Sequence, residues 1–266
     1  MFNCKNGTLD LYTRAFHAHT PADMLSTISG VEYDPEARGT LWEQTVADVM
    51  RGDKDLSAYL QKALGYALTG DTSEECLFLL YGPTTRNGKS TVIETFMALM
   101  GGYGKAAGAD TFGQRQRWDS AAPSEDLAKL AGARAVNVSE PDKGMVLNAA
   151  RVTDVTVFSY GKVKVIPFNR HFGPEEQDKT LKKRLLKELS GVLNWCLEGL
   201  WLMQETGFDP PESVLDATAE YRHDSNKLTR FVEDCLEPAP QGRLPQRRST
   251  APTKTGAGTM GSSMKA

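Results

Sequence analysis

Leu79-Leu-Tyr-Gly82-Pro83-Thr84-Thr85-Arg86-Asn87-Gly88-Lys89-Ser90-Thr91 is the stretch that decides the fold class. Before it, the apolar run Cys76-Leu-Phe-Leu-Leu-Tyr81 stops at a glycine. After it, Val92-Ile-Glu-Thr-Phe-Met-Ala-Leu-Met100 has no breaker and spaces Val92, Phe96 and Leu99 along one helical face. Strand, polar loop, Gly-Lys-Ser-Thr and helix in that order predict a phosphate-binding loop. Backbone N–H groups of such a loop and of the helix N-terminus surround phosphates, and the helix dipole favours their negative charge. In that role Gly82 to Thr91 cradle ATP, Lys89 reaches its β- and γ-phosphates, and the Ser90 hydroxyl holds Mg²⁺. One departure is visible: Gly82 and Gly88 enclose five residues, where the general pattern has four. The plainer alternative is an ordinary β-turn-α connection rich in glycine and threonine.

The 266 residues suffice for one large or two small domains with an ample core. Net charge is −3 and unevenly placed. Arg243, Arg247, Arg248, Lys254 and Lys265 lie beyond residue 238 with no acid among them, which leaves −8 for the rest. The body is therefore not basic overall, and any nucleic-acid contact must come from local patches or a pore lining. Cys4, Cys76, Cys196 and Cys235 form no C-x-x-C pair, and the four histidines add no metal-ligand spacing. Free thiols in a reducing cytosol, and with them a cytoplasmic location, are the expectation. No apolar run reaches membrane-spanning length, and the N-terminus lacks a signal-peptide pattern.

The opening Met1-Phe-Asn-Cys-Lys-Asn6-Gly7-Thr-Leu reads as a hairpin turning at Asn6-Gly7. Thr40 to Thr69 reads as helical, closed by Gly70-Asp71, and Gly101-Gly-Tyr-Gly104 as a break. Residues 105–124 read as loop and Glu125–Ala131 as a short helix. Ala133–Ser139 reads as a strand, as do Val155–Phe158 and Val163–Phe168. Asp178–Glu188, Ser190–Gln204 and Val214–Tyr221 read as helices. From Pro238 onward Pro, Gly, Ser, Thr and Arg dominate, so residues 238–266 are expected to be a disordered tail.

A phosphate loop that hydrolyses ATP needs an acid, delivered by a neighbouring strand, to order Mg²⁺ or polarise the attacking water. Glu140, at the end of Ala135-Val-Asn-Val-Ser139, is the candidate; the adjacent second acid often found is replaced by Ser139. Several blocks together now carry a resemblance. Leu64-Gly65-Tyr66-Ala-Leu-Thr-Gly70, the phosphate loop, Ala131-Gly-Ala-Arg134 and Val138-Ser-Glu-Pro141 resemble the phage and plasmid primase–helicases. Val165-Ile-Pro-Phe168 and Leu193-Asn-Trp-Cys-Leu-Glu-Gly199 point the same way. The likeness runs from about residue 2 to residue 237, and the five-residue spacer recurs in that family.

The resemblance implies an α/β fold: a P-loop ATPase core of the AAA+ type, superfamily 3, with a helical N-terminal segment and a helical C-terminal subdomain. Residues 1–72 would be the hairpin and helical oligomerisation segment, 73–174 the core and 175–237 the C-terminal helices. It further implies a hexameric ring that moves on single-stranded DNA by hydrolysing ATP with Mg²⁺, without a membrane. Each ATP would be completed by a neighbour's arginine finger. The matching position is Lys162, and lysine supplies a point charge without arginine's planar fork. Arg170 and His171 just beyond read equally as compensating cations or as solvated surface residues.

Three family elements are expected but not found. By the resemblance, the upstream primase domain is expected to be missing. The DNA-contacting hairpin and the polar sensor should lie between Glu140 and Ile166, yet the chain passes directly from Met145-Val-Leu-Asn-Ala-Ala150 to the late strands. A deletion near Arg151–Thr153 is the expectation. It would remove strand 4 of a sheet that the family orders 5-1-4-3-2. The reading is thus a superfamily 3 DNA helicase domain of a replication primase–helicase in a defective copy. The alternatives are a nucleotide-binding, ring-associating module without helicase activity and a small-molecule P-loop kinase.

Overall fold

In the computed structural model, residues 1–74, 76–108, 125–138 and 163–225 are described. Three short strands open the chain: β1 (Phe2–Cys4), β2 (Gly7–Leu9) and β3 (Phe16–His17), paired antiparallel in that order. The turn falls one residue earlier than the dipeptide rule suggests. Cys4 pairs with Gly7, so Lys5 and Asn6 form the two-residue loop, and neither has positive φ. This pairing puts Phe2, Cys4 and Leu9 on one face of the hairpin, and all three are buried.

Two helices follow, α1 (Thr40–Val49) and α2 (Lys54–Ala67). They are separate because Gly52 turns the chain at φ 77° and Asp53 caps α2, its carboxylate accepting from Leu56 N–H at 2.9 Å. Strand β4 (Leu77–Tyr81) leads through the 82–88 loop into α3 (Lys89–Met100). A strand the sequence did not suggest comes next, β5 (Gly104–Ala107), then α4 (Glu125–Ala128), β6 (Ala135–Val138) and β7 (Val163–Pro167). The expected helix over Asp178–Glu188 is only α5 (Leu181–Leu185). Asp178 accepts from Thr180 N–H at 2.7 Å and holds the preceding turn, while the Glu188 carboxylate is committed to Leu41 N–H at 3.0 Å. Two long helices end the described chain, α6 (Leu189–Thr206) and α7 (Glu212–Ser225).

β4 pairs in parallel with β7, from Leu77↔Val163 to Tyr81↔Pro167, and β5 pairs in parallel with β6, from Gly104↔Ala135 to Ala107↔Val138. Among the described residues no strand joins these two pairs. The expected strand Val155–Phe158, the region of the expected deletion and residues 238–266 lie outside the described residues. Helix α7 lies against β7: the Val165 N–H donates to Thr218 Oγ1 at 3.0 Å, and the Tyr81 and Tyr221 rings approach to 6.4 Å.

One hydrophobic core spans the first sheet, α1 to α3, β7 and α6, and so crosses the borders expected at 72/73 and 174/175. Its tightest crossing is α2 on α6. A Cβ on Gly65 would lie 2.3 Å from the Cys196 carbonyl oxygen, and one on Gly199 would lie 2.2 Å from that of Gln61. Only glycine lets these two backbones meet. Cys4 and Cys196 are buried and Cys76 half-buried, none of the three in a disulfide; Cys235 lies outside the described residues.

Candidate functional site

The 82–88 loop is held from behind by three carbonyl tethers on consecutive residues. The Thr84 carbonyl accepts from Nδ2 of the buried Asn87 at 2.6 Å. The Thr85 carbonyl faces His171 Nδ1 at 2.9 Å, and the Arg86 carbonyl accepts from the Phe172 N–H at 2.9 Å. A trans peptide is planar, with its C=O and N–H pointing in opposite directions. Each tether therefore turns the next amide away from itself: Thr85, Arg86 and Asn87 N–H in turn. Among the described residues these three amides have no acceptor within the protein. Successive free N–H groups of this kind are what an anion needs.

The loop's two glycines are dictated by close approach. A Cβ on Gly82 would lie 2.3 Å from Asn87 Nδ2 and 2.5 Å from the Phe168 carbonyl oxygen. One on Gly88 would lie 2.4 Å from Val49 Cγ2, and Gly88 also takes φ 84°. Arg86 takes φ 59°, a conformation that arginine tolerates only under constraint from its surroundings. Gly88 caps α3 without a side chain; the Lys89 N–H donates to Asn87 Oδ1 at 3.5 Å, and among the described residues the Ser90 and Thr91 amides have no acceptor within the protein. The base of the loop is fixed to β7 by the Phe168 N–H, which donates to the Tyr81 carbonyl at 2.6 Å.

Lys89 is half-buried at the first position of α3 and Ser90 is exposed beside it. Among the described residues neither side chain makes an ion pair or hydrogen bond. Two other cations are already partnered. Arg170 pairs with Glu176 and stacks on Phe172, its Cζ 5.2 Å from the ring centroid, and Lys182 pairs with Glu94. Arg170 is thus held by its own segment. His171 faces the loop, but its Nδ1 is engaged by the Thr85 carbonyl.

Glu140 and Lys162, the expected catalytic acid and finger position, lie outside the described residues, two residues beyond β6 and one before β7. Pro83, Thr84, Thr85 and Arg86 lie on the loop and Thr91 in the first turn of α3. Sequence reasoning did not find the three tethers. Asn87 was readable as a loop residue, while His171 and Phe172 are more than eighty positions away. Among the described residues no group of three or more His, Cys, Asp or Glu side chains is placed to hold a metal ion, and no helix is long and apolar enough to cross a membrane.

Residues 1–51 match the family model described as D5 N terminal like, the N-terminal domain of phage and plasmid primase–helicases of the D5 type. The match takes in the opening sheet and α1, and its C-terminal end includes Val49, the residue against Gly88. Comparison with curated proteins returns no match.

Proposed function

We propose that this chain binds Mg-ATP in the 82–91 segment and is the nucleotide-binding part of a superfamily 3, AAA+ type DNA helicase from a replication primase–helicase. The observation that carries the reading is the set of three tethered carbonyls, which frees three consecutive amides next to an unpaired Lys89. The residues fit the ligand: both glycines let the loop close onto Asn87, Phe168 and Val49, and the amide donors suit a polyphosphate. Lys89 holds the β- and γ-phosphates, and the Ser90 hydroxyl is a ligand for Mg²⁺. Glu140 is proposed as the acid that orders the metal or polarises water. When bound, Mg²⁺ neutralises charge on the phosphate oxygens.

Two strand pairings support the AAA+ reading. β7 beside β4 and β5 beside β6 are both neighbours in the order 5-1-4-3-2. The D5-like N-terminal match supports a replication setting. Inherited activity in this reading is ATP-driven movement on single-stranded DNA by a hexameric ring in the cytoplasm. Lys162 at the finger position and the missing sensor motif favour an impaired copy, one that binds nucleotide and joins rings but hydrolyses slowly. A small-molecule kinase is disfavoured by Val49, because the helical segment ahead of β4 is packed into the loop itself.

Titration of a fluorescent ATP analogue into wild type and Lys89→Ala tests the binding step. Loss of a charged donor should weaken affinity by about 10- to 100-fold. Equal affinity would remove the phosphate-cradle reading. Strong stimulation of steady-state ATP hydrolysis by single-stranded DNA would show an active motor and overturn the impaired copy.

A further inference from the structure

Two of the loop's three tethers come from one short segment after β7, and that segment is braced for the purpose. Phe168 is buried and tied by its N–H to Tyr81, the residue from which the loop departs. Beyond it, Glu176 closes the segment on itself: one carboxylate oxygen accepts from the Gly173 N–H at 2.8 Å and the other pairs with Arg170. Gln177 Nε2 lies 3.2 Å from the carbonyls of both Phe172 and Gly173. His171 is thereby held at a fixed place over the loop.

A carbonyl oxygen can only accept, so the contact with Thr85 requires the proton on His171 Nδ1. The imidazole is exposed, and its loss opens no cavity in the core. What it does fix is the plane of the Thr85–Arg86 peptide, in a stretch where Arg86 is kept at φ 59°. We propose that His171 is a positioning residue for polyphosphate binding, which holds the Thr85 carbonyl so that the Arg86 amide is aimed at the phosphates of a nucleoside di- or triphosphate. This rests on the nucleotide-binding reading above. In this role the Nδ1 proton of His171 is spent on the backbone and not on a phosphate oxygen.

The donor's position in the side chain makes the test specific. Asparagine carries Nδ2 the same number of bonds from the backbone as histidine Nδ1, whereas glutamine carries its amide one carbon further out. Mg-ADP and Mg-ATP affinities would be measured by fluorescent-analogue titration for wild type, Lys89→Ala, His171→Ala, His171→Asn and His171→Gln. The melting temperature of each variant without nucleotide would be measured beside them. His171→Ala should bind roughly three- to tenfold more weakly, the worth of one net hydrogen bond. His171→Asn should bind like wild type and His171→Gln like His171→Ala, with unliganded melting temperatures alike in all three. Wild-type affinity in His171→Ala, or rescue by glutamine rather than asparagine, would overturn the positioning role while Lys89-dependent binding stands. If wild type and Lys89→Ala bind alike, the nucleotide reading fails and this inference fails with it.

Discussion

Val49 closes the space beside Gly88: a Cβ placed on that glycine would lie 2.4 Å from Val49 Cγ2. The contact ties the end of α1, inside the region that matches the D5 N-terminal model, to the cap of the helix that follows the loop. Any movement of α1 is thus felt at the first turn of α3.

Gly88→Ala should therefore fail twice, by this clash and by its φ of 84°. We expect about 2–4 kcal/mol of lost stability, and loss of measurable ATP-analogue binding. Adding Val49→Ala should recover part of the stability by relieving the clash, leaving about 1–2 kcal/mol of backbone strain. Urea denaturation of the two variants reads both terms, and no recovery in the double variant would mean the clash is relieved elsewhere.

The α2–α6 crossing predicts a second sensitive pair. Gly199→Ala places a methyl group against the Gln61 carbonyl, and Gln61 itself donates through Nε2 to the Trp195 carbonyl at 2.8 Å. Helix propensity alone would make this change stabilising by about 1 kcal/mol. Overpacking should outweigh it, giving net destabilisation of about 1–3 kcal/mol. A raised melting temperature for Gly199→Ala would contradict the close crossing.

Arg134 joins three distant parts of the chain. Its guanidinium donates to the Leu68 carbonyl at 2.6 Å and the Met1 carbonyl at 2.8 Å, and its Cζ lies 4.2 Å from the Tyr103 ring centroid. Burial lowers its pKa, with the Tyr103 contribution opposing. Lysine cannot present two donors in a plane while stacking. Arg134→Lys and Arg134→Ala should both destabilise by about 2–3 kcal/mol, and lysine should recover less than half of the loss. Full recovery by lysine in a thermal melt would reduce the interaction to simple charge.

The buried thiols set a limit at alkaline pH. Burial pushes Cys4 up to about 11 and moves Cys196 in the same direction. The unfolded chain releases these protons first, so their contribution is intact below the ordinary thiol pKa of 9.0 and is lost as pH rises from there toward 11. Each thiol should cost about 1.4 kcal/mol per pH unit across that window. Urea midpoints at pH 8 and pH 10.5 should diverge less in Cys4→Ala than in wild type, and equal divergence would place the alkaline limit on other groups.

The segment from Leu77 to Met100 was legible because its signals are local. An apolar run, a terminating glycine and a 3.6-residue spacing each depend on neighbours in the chain, and β4 and α3 form where those signals lie. The long amphipathic pattern around Leu193–Leu200 was readable for the same reason. β5 was not, since Gly104-Lys-Ala-Ala has little strand preference and becomes a strand by pairing with β6. Gly65 and Gly199 in helix interiors look like a cost until the opposing backbone is seen.

For the candidate site, the sequence by itself determined which residues form the loop and which cation and hydroxyl begin the helix. Only the tertiary structure decided which way the loop's amides face. That direction depends on what stands behind the carbonyls of Thr85 and Arg86, and the groups there, His171 Nδ1 and the Phe172 N–H, come from beyond β7. A peptide plane can turn about its two flanking bonds at little cost, so no local pattern in Pro83-Thr84-Thr85-Arg86 specifies its orientation. Donors brought up by the parallel pairing of β4 with β7 do.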